Sequence, residues 1–145
     1  MQFLLNDGGR GAAGFKGSAG DCVVRAVAIA SSRPYHEIYD ALSEGTRAQR
    51  KTTKSRKRVS ARDGVNTKRK WFKDYMVSLG FKWYPTMRIG HDHITHMRTD
   101  ELPLGRLVVA ISKHYVAVIN GVINDTHNPS RDGTRCVYGY YKLET

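Results

Sequence analysis

The chain has 145 residues, 40% of them hydrophobic, which suits one domain, residues 1–145, built on a single core. No apolar run approaches the length of a membrane-spanning helix, so no membrane partner is expected. The net charge of +11 is not spread evenly: residues 46–70, TRAQRKTTKSRKRVSARDGVNTKRK, hold eleven Lys/Arg against one acid, Asp63, and leave the other 120 residues with +1. That excludes a domain that is basic throughout.

The opening residues, MQFLLNDGGRGAAG, lack the basic start of a secretory signal and carry only a short apolar patch. Residues 6–20 are rich in Gly, Ala, Asn and Ser and read as a loop. Cys22 to Ala30 is apolar on most sides, broken by Arg25, which suits a central, largely buried helix. In SSRPYHEIYDALSEG, Ser32 is placed to cap and Pro34 to fill the first turn. Tyr35, Ile38, Tyr39 and Leu42 form an apolar face that ends at Gly45.

The basic segment follows, expected to be mobile over about residues 46–64 because its like charges repel and it buries little. Trp71, Phe72, Tyr75, Met76 and Leu79 then recur at helical spacing, with Gly80 closing the helix. Beyond Gly80 the period changes to two. FKWYPTM, RLVVAIS, HYVAVI, VINDT and RCVYGYY read as five strands. Helices followed by strands give an α+β fold with N-terminal helices packed on a C-terminal antiparallel sheet.

Asn120-Gly121 is a two-residue hairpin signal. It sets Ile119 opposite Val122, Val118 opposite Ile123 and Val116 opposite Asp125. His114, Val116, Asp125 and His127 then share one face, and Asn124 points to the other. A carboxylate beside an imidazole fixes its tautomer and supports its charged form. Cys22, at a helix start, sits where free N–H groups and the helix dipole favour a thiolate. A thiolate, an imidazole and an orienting acid together make a nucleophilic site.

Several other features read more plainly. Cys136 is expected to be a core strand residue. His91, His93 and His96 in GHDHITHM match no closed zinc spacing and read as a polar loop, so no metal is expected. No Gly-rich stretch opens a helix with a Lys-Ser/Thr pair, and no cofactor is expected. Two cysteines make no disulfide framework and suit a reducing cytoplasm.

GDC opening a helix, followed far downstream by KHYVAVINGVINDT, resembles the papain-like cysteine peptidases, and within them the small C39-like peptidases, whose order is Cys, His, Asp. The wording AGDCVVRAVAIA, PYHEIYDAL, LPLGR and PSRDGTRCVYGYY also resembles small proteins of bacteria and their phages, a likeness that brings no activity with it. A phage protein of this kind would act in the host cytoplasm.

The peptidase resemblance implies a papain-like fold, Cys22 as nucleophile, His114 as general base and Asp125 as orienting acid, acting on a peptide or protein substrate. It also implies an oxyanion-stabilising Gln six residues before the cysteine, where this chain has Lys16. Lys16 or Asn6 are the substitutes available for that role, and His127 lines the site. The alternative is a non-catalytic protein, a phage-type inhibitor or a nucleic-acid-associated factor. It would use Arg50, Lys51, Lys54, Arg56, Lys57 and Arg58 to hold an acidic or nucleic-acid partner. The segment has no aromatic residue to stack bases, so such binding would be nonspecific and salt-sensitive.

Overall fold

The computed structural model describes residues 1–15, 21–49, 64–87 and 94–144. Within them the chain forms three helices and six strands. In order these are β1 (Gln2–Leu5), α1 (Cys22–Ser31), α2 (Tyr35–Ala48), α3 (Lys70–Ser78), β2 (Phe81–Pro85), β3 (Arg106–Ile111), β4 (His114–Ile119), β5 (Val122–Asp125) and β6 (Gly139–Leu143). No helix among the described residues is long and apolar enough to cross a membrane. The class is α+β, as the switch from helical to alternating periodicity implied.

The strands form one sheet in the order β1-β5-β4-β3-β6-β2. It is mixed rather than antiparallel, because β1 pairs parallel with β5, setting Leu5 opposite Asp125. The apolar start of the chain is therefore an edge strand. Its residues are exposed, so burial left no alternation in the sequence to mark it.

One face of the sheet packs on the helices, through Val24, Val27, Ile38, Leu42, Phe72 and Met76 against Val108, Ala117 and Tyr141. The other face carries a second apolar cluster in which Met97, Leu102 and Val137 cover Leu107, Val109, Val116, Val118 and Ile123. With both faces covered, β3 is buried at every position after its first. Helix α1 lies against β4, β3 and β5. Its last carbonyls, which have no partner inside the helix, are closed by Arg106 of β3: Nε donates to Ala30 O at 2.7 Å and Nη2 to Ile29 O at 2.8 Å.

Local expectations change at Ser32, Gly45 and Cys136. Ser32 does not cap α2; it ends α1 in a left-handed conformation (φ 59°), and α2 starts after Pro34. Gly45 does not stop α2, which runs on to Ala48. A Cβ at Gly45 would lie 2.4 Å from the Trp71 ring, so the glycine admits an indole against the helix. Trp71 Nε1 then donates to Gln49 Oε1 at 3.0 Å. Cys136 is half-buried and sits in an isolated bridge to His96 instead of a core strand, which begins only at Gly139.

The basic segment is thus helical at Thr46 to Ala48, with Thr46 fully buried. Residues 50–63, with Arg50, Lys51, Lys54, Arg56, Lys57 and Arg58, lie outside the described residues, as do Lys16, His91 and His93.

Candidate active site

Cys22 is the first residue of α1, His114 the first of β4 and Asp125 the last of β5. The Asn120-Gly121 turn has both residues at positive φ (48° and 82°), the requirement of the tight hairpin read from the sequence. The register follows: Ile119 opposite Val122, Val118 opposite Ile123, Ala117 opposite Asn124. His114 and Asp125 meet, with Nε2 and Oδ2 2.6 Å apart. Asn124 turns away: it accepts from Asn6 Nδ2 at 3.2 Å and donates to Val122 O at 3.0 Å.

With Nε2 committed to Asp125, Nδ1 is the ring nitrogen left for the sulfur. Burial pushes the Cys22 thiol up. The His114 ring, the Tyr115 backbone N–H and the charges of His114 and Arg25 outweigh it, and the thiol ends below its ordinary value. Burial pulls the imidazole down, but its bonds to Asp125 and Cys22 raise it to about 9. Burial raises the Asp125 carboxyl; the His114 bond, the Thr126 N–H at 2.7 Å and the charges of His114 and Arg25 lower it overall. The two shifts run together toward a thiolate beside an imidazolium, the reactive form of such a pair.

Behind the three residues lies a charge network that the sequence reading did not anticipate. Asp21 is fully buried, and its side chain does not cap α1. Its carboxylate takes Arg10 Nη1 at 3.1 Å, the Tyr35 hydroxyl at 2.5 Å and Arg25 Nη1. Arg25 also reaches Asp125, Nη2 to Oδ1 at 3.6 Å. A lone carboxylate next to Cys22 would oppose a thiolate; two arginines hold this one inward. The signal was present in the sequence as the one charge in an apolar helix, spaced i,i+4 from Asp21 and i,i+3 from Cys22.

Of the remaining candidates, His127 stands at the rim, its ring 5.3 Å from that of His114 and tilted 41° to it. Among the described residues, His114, Asp125 and His127 are the group able to hold a metal ion, their ligand atoms within 4.8 Å of one another. Asn6 is engaged in structure. Its backbone N–H donates to Asp125 O at 2.9 Å, and its side-chain amide goes to Asn124. His96 pairs with Glu101 at 3.2 Å, away from this cluster.

A cavity of about 460 Å³ opens over Cys22 and His114, bounded by Val65, Thr67, Lys113 and Tyr115 among others. No family model, no curated protein and no solved structure matches the chain.

Proposed function

We propose that this protein is a thiol enzyme of the papain-like, C39-like kind, acting on an amide, ester or isopeptide bond of a peptide or protein. The observation that carries the reading is the imidazole of His114, bonded to the buried Asp125 at 2.6 Å and lining one cavity with Cys22. The Cys22 thiolate attacks the substrate carbonyl, forming an S–C bond. As the C–N or C–O bond breaks, His114 gives its proton to the leaving group. Water, deprotonated by the now neutral His114, then attacks the acyl carbon; the C–S bond breaks, the acid leaves, and the thiolate and imidazolium are restored. Asp125 keeps the ring in the orientation these transfers need. The basic segment recruits an acidic partner to this site by charge.

The test is a covalent intermediate. Treated with p-nitrophenyl acetate, the protein is expected to release a burst of nitrophenol and to carry an acetyl group on Cys22, detected by mass spectrometry. Cys22→Ser loses the burst. Acetylation of Cys22 and Cys136 at equal rates sinks the reading.

A further inference from the structure

A second cavity, of about 350 Å³, adjoins the one over the thiol. The two share Thr67, Lys68, Ala110, Tyr115 and Tyr138. Tyr115 divides them. It lines the first cavity with Cys22, and its ring, anchored by the hydroxyl on Thr67 Oγ1 at 2.9 Å, walls the second. The opposite wall is apolar and open to solvent: Val77 is 66% exposed, Tyr138 43% and Trp83 40%. A cluster of exposed apolar side chains beside a reactive group marks a surface made to be covered.

The wall is also a built feature. A Cβ at Gly139 would lie 2.4 Å from the Trp83 ring, so the glycine lets the indole lie over the sheet, 4.8 Å from Tyr141. Lys68 and Lys73 stand at the rim, and no carboxylate lines this cavity among the described residues.

We propose that this cavity is a specificity subsite that takes one aromatic or branched apolar side chain of the substrate, with an acidic residue next to it held by Lys68 and Lys73. The volume is at the small end of ligand pockets, which run from about 300 Å³, and suits one large side chain. The proposal rests on the thiol-enzyme reading for its purpose, but the pocket can be tested without the thiol.

In a Cys22→Ser background, N-acetyl-Asp-Phe-amide is expected to change the tryptophan fluorescence in a saturable way, and Trp83→Phe is expected to abolish the change. N-acetyl-Asp-Gly-amide has no effect at the same concentration. In the unaltered protein, an Asp-Phe acyloxymethyl ketone is expected to modify Cys22 at least about tenfold faster than its Asp-Gly counterpart, a ratio within the reach of one apolar side chain. Val77→Asp, on an exposed helix position, and Gly139→Ala each erase that ratio while leaving the iodoacetamide rate unchanged. The double change Lys68→Glu, Lys73→Glu reverses the preference to Lys-Phe. Equal rates for the Phe and Gly reagents, with iodoacetamide still selecting Cys22, overturn the subsite alone. Fluorescence binding without any selective reaction at Cys22 upholds the subsite and overturns the enzyme.

Discussion

The two cysteines occupy environments that look alike on paper. Each is half-buried, each faces a histidine, and each histidine has a carboxylate: Cys22 with His114 and Asp125, Cys136 with His96 and Glu101. Each acid also has an arginine and a backbone N–H near it, Arg25 and Thr126 for Asp125, Arg98 and His96 for Glu101. The physics differs. Asp125 is 3% exposed and meets its ring at 2.6 Å, while Glu101 is more exposed and meets its ring at 3.2 Å. Cys22 also begins a helix, whereas Cys136 lies in a single bridge between loops. Residue types alone do not make a reactive thiol. Burial of the acid, the shorter bond to the ring and the helix start separate the two.

The sharpest way to break this comparison is to neutralise each acid in turn. Asp125→Asn is expected to lower turnover of an ester substrate by about 10²–10⁴-fold, since the ring loses its orienting partner. Glu101→Gln is expected to leave it unchanged. Equal effects would dissolve the distinction.

Arg25→Met tests the cation. It leaves Asp21 and Asp125 facing each other's field with less compensation, and is expected to cost about 3–5 kcal/mol of stability by chemical denaturation. The exposed pair Lys70–Asp74, cut by Lys70→Met, is expected to lose less than about 1 kcal/mol. A small loss at Arg25 would mean that the buried network is decorative.

Alkylation sharpens the contrast at the sulfur itself. Near pH 6, iodoacetamide is expected to modify Cys22 about tenfold faster than Cys136 or more, the gain in thiolate being partly offset by its lower nucleophilicity. His114→Gln brings the two rates together. A Cys22 rate that rises only above pH 8 contradicts the ion pair.

The smallest effect is a slope. Below about pH 6.5, His114 contributes its full stabilisation, which is lost as the pH rises through about 9. The depressed Cys22 thiol acts oppositely: its stabilisation is lost as the pH falls through its folded value. Above the folded value of the sulfur and below about pH 9 the two slopes oppose each other. Thermal melts of the unaltered protein should vary less with pH there than those of a chain lacking the sulfur. Those of Cys22→Ser should fall with rising pH, and a flat Cys22→Ser profile counts against the coupling.

Much of the sheet could be read directly, because β2 to β5 are short runs rich in β-branched and aromatic residues, and Asn120-Gly121 fixes a register with no free parameter. The same register paired His114 with Asp125 and turned Asn124 away. The parts that escaped have non-local causes. Edge strand β1 has no buried face and pairs with a distant segment. Gly45 looks like a helix stop until the indole of Trp71 is seen against it. Arg25 looked like an interruption in an apolar helix, and only the approach of β5 reveals it as the link between two acids.

The pairing of β1 with β5 has a consequence for the timing of folding. Asn6 and Asn124, 118 positions apart, join the strand that carries Asp125 to the start of the chain. A ribosome delivers Cys22 long before His114 and Asp125, and contacts of such separation close late. During synthesis the sulfur is therefore an ordinary thiol on a growing polypeptide. It gains its imidazole and acid only once β4 and β5 have emerged and joined the sheet, so the lowered thiol of the folded protein is a property the nascent chain does not have.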